Sequence, residues 1–146
     1  MNETKAERMN LTLASSLESI AQVEALAEKL AAEASLDEDG CFNVTMAVHE
    51  AVVNAVLHGN ALDPTKKIAV DFENTGDSLV ITIADEGHGF DPNSLPDPLT
   101  AENILRGCGR GIFLMRSYMD EVRFRQLDSG TEVTLVKHLT PADKEL

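Results

Sequence analysis

Glu50 and Asn54 stand four residues apart inside His49-Glu50-Ala51-Val52-Val53-Asn54-Ala55-Val56-Leu57-His58-Gly59-Asn60, an otherwise apolar run with helical spacing. Four residues make about one turn and roughly 6 Å of rise, so the two polar groups share one stripe. Polar groups beside a core are costly to bury, which asks for a reason they are there. Glu50 can accept a proton from an attacking hydroxyl or water. Asn54 offers a neutral oxygen to Mg²⁺, an ion that keeps several waters and takes substrate phosphates as further ligands. The competing reading is structural: Glu50 holds a backbone amide or pairs with a cation such as Arg110. On this spacing alone the two readings are even. His58 continues the stripe, but a histidine near a helix C-terminus is favoured by the helix dipole, which points to a structural role.

Two further blocks follow in order. Asp85-Glu86-Gly87-His88-Gly89-Phe90 places a carboxylate at the end of an apolar strand, with glycines behind it. Such a carboxylate can accept a hydrogen bond from an exocyclic amine such as that of adenine, and glycines let a flat ring approach the backbone. An ordinary Asp-Glu-Gly turn would look the same. Gly107-Cys108-Gly109-Arg110-Gly111 directly precedes a short helix. Glycines there expose amide donors at the positive end of the helix dipole, a phosphate site without a P-loop, to which Arg110 can add charge. A hinge with Arg110 in solvent is the alternative. His49, His88 and His138 have no metal-ligand spacing and read as surface or loop residues, and Met115 and Met119 read as core.

The elements that must position these groups are legible from periodicity. Met9, Leu11 and Leu13 alternate as a short first strand. Ser15 with Glu18 reads as a capping box opening a helix through Leu17, Ile20, Ala27, Leu30 and Ala34. Asp37 caps a second helix over about 38–58, ended by Gly59 or Asn60. Residues 66–74 and Leu79, Ile81 and Ile83 form a hairpin about Asn74-Thr75-Gly76-Asp77, the second strand being central. Residues 86–109 have no period, and a loop of that length inside a compact domain is usually functional or disordered. Residues 111–119 form a short helix with Ile112, Met115 and Met119 on one side. Residues 122–127 and 131–136 close a last hairpin about Asp128-Ser129-Gly130. The order β-α-α-β-β-loop-α-β-β predicts an α+β two-layer sandwich: about five strands in a mostly antiparallel, mixed sheet, with helices on one face. It excludes a doubly wound nucleotide fold.

At 146 residues, 43% of them hydrophobic, the chain reads as a single domain with an aliphatic core, since it has no Trp and one Tyr. A net charge of -13 argues against nucleic acid and against an anionic membrane surface. Two cysteines, Cys41 and Cys108, are too few for a disulfide scaffold. No apolar run approaches the roughly 18–20 residues of a membrane helix, and the N-terminus lacks signal-peptide regions. Cytoplasm is the expected setting.

Taken together, the three blocks resemble the GHKL (Bergerat-fold) ATPase superfamily. Glu50-x-x-x-Asn54 is similar to its N-box, Asp85-x-Gly87-x-Gly89-Phe90 to its first glycine box, and Gly109-Arg110-Gly111-Ile112-x-Leu114-Met115 to its second. Thr131, in Gly130-Thr131-Glu132-Val133, matches a threonine that helps bind adenine through Asp85 and water. The resemblance spans about residues 9–138. Within the superfamily, the run 50–60 and Phe90-Asp91-Pro92 look like the stand-alone anti-sigma factor serine/threonine kinases. That resemblance implies Mg-ATP as the bound nucleotide, Glu50 as general base on a partner's Ser or Thr, Asn54 as Mg²⁺ ligand and Asp85 as adenine reader. It also implies nucleotide contacts from Gly87, Gly89, Phe90, Gly107, Gly109, Arg110, Gly111, Ile112 and Thr131, with residues 91–108 as the ATP lid. The expected activity is γ-phosphoryl transfer to an anti-sigma antagonist, mainly by positioning and charge. A sigma factor is the expected second partner and a homodimer the expected state. The alternatives are a non-catalytic switch of the same fold, in which ATP sets partner affinity, and a glycine-rich structural domain that binds no nucleotide.

Overall fold

The computed structural model describes residues 7–87 and 108–139. Five strands form one sheet: β1 (Glu7–Ala14), β2 (Lys67–Asn74), β3 (Ser78–Ala84), β4 (Glu121–Gln126) and β5 (Thr131–His138). Their spatial order is β1-β2-β3-β5-β4. All four pairings are antiparallel, so the room the sequence left for a mixed sheet is not used among the described strands. The β2–β3 hairpin follows from clean alternation: Ile68, Val70 and Phe72 are buried, while Lys67 and Ala69 are exposed. Gly76 closes its turn at φ +94°, a left-handed value that glycine adopts without a Cβ clash. As expected, β3 is central, with Leu79, Ile81 and Ile83 buried and Val80, Thr82 and Ala84 partly covered on the other face.

Among the described residues three α-helices accompany the sheet: α1 (Leu17–Glu33), α2 (Glu38–Val53) and α3 (Cys108–Tyr118). Val23 and Ala27 of α1, Val44, Val48 and Val52 of α2, and Ile112 and Met115 of α3 join Ile68, Ile81, Ile83 and Leu135 of the sheet in one core. Each large aliphatic side chain so buried contributes about 1.5–3 kcal/mol relative to exposure. Asp37 caps α2 as its spacing predicts, accepting from the Gly40 amide at 2.7 Å. The α1 cap falls one residue later than the sequence indicates. Ser16, not Ser15, accepts from the Ser19 amide. The backbone of Ser15 is still committed to the sheet, its amide donating to the Lys66 carbonyl at 3.3 Å. His49 of α2 pairs with Glu24 of α1.

The end of the second helix differs from the sequence reading in a way that matters. After Val53 the backbone winds as a π-helix over Asn54–Gly59. Its i→i+5 pattern is seen where the Asn60 amide donates to the Ala55 carbonyl at 2.8 Å. Ala61 and Leu62 then take left-handed conformations, at φ 53° and 58°. The wider turn breaks the polar stripe of a regular helix: Glu50 and Asn54 are half-buried, whereas His58 is exposed. The stretch Glu38–Gly59, at 22 residues, is long and apolar enough to cross a membrane by length and composition, contrary to the sequence reading. Val44, Val48, Val52 and Val56 within it are fully buried in the core.

Candidate functional site

Two groups of residues converge where α2, the π-turn, the end of β3 and the start of β5 meet. The first is centred on Asp85. Its backbone continues the β3–β5 ladder, the amide donating to the Thr131 carbonyl at 3.0 Å. Its side chain turns inward and is 8% exposed. Asp85 Oδ1 accepts from the amides of Gly87 at 2.9 Å and Thr131 at 3.2 Å. Burial pushes the Asp85 carboxyl above the usual carboxylate range; the Gly87 and Thr131 amides, and then the charge of Lys66, pull against that shift without cancelling it. Beside it, Thr131 Oγ1 is buried and has no hydrogen-bond partner among the described residues. A buried hydroxyl without a partner is costly, and one next to a carboxylate suits a bound polar ligand or a bridging water.

Three glycines frame this carboxylate. A Cβ on Gly59 would overlap the Asp85 carboxylate, one on Gly87 would overlap the Gly59 carbonyl, and one on Gly130 would overlap the Asp85 carbonyl. Gly130 also sits at φ +105°. Sequence reasoning treats Gly59 as a helix end and Gly130 as a turn residue. Their part in packing against Asp85 depends on tertiary contacts between segments far apart in the chain.

The second group is Glu50 and Asn54, one turn apart across the α2–π junction. They meet the first turn of α3. A Cβ placed on Gly111 would lie 3.2 Å from Glu50 Oε1 and 3.3 Å from Asn54 Nδ2. Bare glycine at 111 thus lets the helix start approach both polar side chains. Gly109, expected to precede the helix, lies within it, since α3 already begins at Cys108. The first amides of a helix have no intrahelical partner, so the start of α3 offers hydrogen-bond donors. Ile112, the next residue, anchors this turn in the core at 6% exposure.

The structure therefore brings together Glu50, Asn54, Gly111 and Ile112 at one end, and Asp85, Gly87 and Thr131 at the other, joined by the short π-turn. The backbone of Gly109 and Arg110 lies in the first turn of α3. Gly89, Phe90, Gly107 and the Arg110 side chain lie outside the described residues, as does nearly all of the expected lid over 91–108. Among the described residues no group of three or more His, Cys, Asp or Glu side chains forms a metal cluster. A single carboxamide oxygen, that of Asn54, is the kind of sparse protein ligand that Mg²⁺ accepts when waters and phosphates complete its shell. Burial of Asp85, the orphaned Thr131 hydroxyl and the glycine walls likewise fit a flat, amine-bearing ring.

Comparison with known proteins agrees with this fold. Residues 13–137 match the family model described as "Histidine kinase-like ATPase domain". The chain is 34% identical over 126 residues to an anti-sigma F factor of Anoxybacillus flavithermus, covering 84% of this chain and 85% of that protein. It is 35% identical over 117 residues to the serine-protein kinase RsbW of Bacillus licheniformis, covering 75% of this chain and 72% of the relative. A crystal structure of the RsbU and RsbW domains of a Mycobacterium tuberculosis protein superposes with a TM-score of 0.66 at 22% identity. It covers 90% of this chain, which spans 32% of that longer one, and shows a common fold. With its matched domain over most of its length and relatives of this identity, the chain belongs to the histidine kinase-like ATPase family, in the group of the anti-sigma F factors and RsbW serine-protein kinases.

Proposed function

We propose that the chain is an ATP-dependent anti-sigma factor kinase that phosphorylates a Ser or Thr of an antagonist protein. One observation carries the reading: Glu50 and Asn54 flank the close approach of Gly111 at the start of α3, with a buried carboxylate and orphaned hydroxyl at the far end of the same turn. Bound Mg-ATP supplies the phosphoryl group. Asp85 accepts a hydrogen bond from the exocyclic amine of adenine, and Thr131 Oγ1 completes that contact through a water. Gly87, packed against the Gly59 backbone, completes the nucleotide contacts with Gly89 and Phe90. Amides around Gly107, Gly109, Arg110, Gly111 and Ile112 would hold the phosphates, and Asn54 would hold Mg²⁺, which would supply charge for the transferring phosphoryl group. Glu50 takes the hydroxyl proton of the partner residue as its oxygen bonds to the γ-phosphorus. The bond from that phosphorus to the bridging oxygen breaks, and the electron pair stays on the departing ADP.

The whole chain acts as one such domain, with residues 91–108 as its lid. The name of the anti-sigma F relatives supports a sigma factor as second partner. A homodimer in the cytoplasm completes the reading. Its test is to incubate the protein with Mg-ATP and the antagonist protein encoded beside it, and to look for phosphoserine or phosphothreonine by mass spectrometry. Transfer that disappears in Glu50→Gln, with ATP still bound, is the expected result. ATP binding with no transfer by the unaltered protein would leave a non-catalytic switch.

A further inference from the structure

Asn60 is a residue to which the nucleotide chemistry assigns nothing, yet it is 1% exposed and polar. It directly follows the π-turn, and all four of its hydrogen-bonding groups have partners. Its amide donates to the Ala55 carbonyl at 2.8 Å, and its carbonyl accepts from the Asp63 amide at 3.0 Å. Its side chain leaves the turn altogether. Asn60 Nδ2 donates to the Lys67 carbonyl at the start of β2, at 3.0 Å, and Oδ1 accepts from the Glu86 amide at 2.8 Å. Glu86 sits between Asp85 and Gly87. It is held a second time by its own side chain, which accepts from the Lys67 amide at 2.9 Å.

One buried carboxamide thus joins three segments: the end of the helix that carries Glu50 and Asn54, the first residue of β2, and the Asp85–Gly87 loop. Its neighbour Gly59 packs against the Asp85 carboxylate and the Gly87 backbone. Two consecutive residues after His58 therefore set where that carboxylate sits. We infer that Asn60 is a positioning residue for base recognition: by fixing the Glu86 amide it aims Asp85 at the exocyclic amine, and so sets the preference for adenine over a 6-oxo purine. Only an amide side chain donates and accepts at once with the reach needed, so neither Asp nor Leu reproduces it.

This inference rests on the ATP reading above, and its test separates the two. Affinities for ATP and for inosine triphosphate, which carries a carbonyl oxygen in place of the amine, are measured with the full chain and with Asn60→Ser and Asn60→Asp. The unaltered protein should prefer ATP. In Asn60→Ser, which reaches neither partner, the ATP preference should collapse about tenfold through loss of ATP affinity, with inosine triphosphate affinity changed less than threefold. Asn60→Asp, which keeps the acceptor for Glu86, should recover part of the preference. Equal losses for both nucleotides, an unchanged ratio, or a Ser variant that fails to fold would overturn the inference by making Asn60 a structural residue only. An unaltered protein that binds neither nucleotide, or both alike, would instead overturn the ATP reading.

Discussion

The two ends of the site are built from different materials. Around Asp85 the walls are backbone: the amides of Gly87 and Thr131, the carbonyl of Gly59 and the turn at Gly130. Around Glu50 and Asn54 the walls are side chains on a helix that changes winding between them, half-buried against the first turn of α3. A backbone-walled pocket attached to a central strand is pre-organised for one shape. A site between two helices can adjust to a partner's hydroxyl and to the phosphates. Recognition and transfer are therefore separable here, and substitutions at one end should leave the other nearly intact.

The largest expected effect lies at the transfer end. Glu50→Gln keeps the shape and removes the base, so phosphate transfer should fall by roughly 10²–10⁴ while ATP affinity stays within a few-fold. Rapid-quench assays alongside nucleotide titration check both halves, and an equal loss of binding would break the separation. At the recognition end, Asp85→Asn should weaken ATP by about 1.5–3 kcal/mol, the worth of a hydrogen bond to a charged group, without lowering thermal stability.

Asp85 also makes the base-reading end sensitive to pH. Its carboxyl is raised by burial, so the ligand-free folded protein takes up a proton more readily than the unfolded chain. Stability of the ligand-free protein should therefore rise as pH falls through the raised value towards the ordinary carboxylate range. ATP affinity should fall over the same window, because the acceptor becomes protonated. Asp85→Asn should abolish both trends, as followed by thermal melts and titrations across pH. Gly130→Ala adds a Cβ against the Asp85 carbonyl at a positive φ and should cost about 1–3 kcal/mol of stability, read by denaturant unfolding. The smallest effect is expected for Asn54→Ala: magnesium-dependent ATP affinity should drop several-fold, by about 1 kcal/mol, with little change in EDTA.

Much of this was legible in the residues. Alternation gave β2 and β3 with the correct buried faces, and Asp37 gave the start of α2, because these depend on local periodicity and local hydrogen bonds. Glu50, Asn54 and Asp85 stood out as polar groups at apolar positions. What stayed hidden depends on distant contacts. Ser15 and Ser16 are equivalent cap candidates until the sheet claims the Ser15 amide from across the chain at Lys66. The π-turn at 54–59 has no signature in residue type, and it leads into Asn60, whose side chain bonds to segments far along the chain at Lys67 and Glu86. For the same reason Asn60 reads as a helix end and not as part of the site.

The central claim is a single nucleotide site with a base-reading end and a magnesium-dependent phosphate end. Calorimetric titration of the pure protein with ATP, first with Mg²⁺ and then with EDTA, tests it most directly. Saturable binding that is clearly tighter with Mg²⁺ is expected. No binding in either buffer would contradict it.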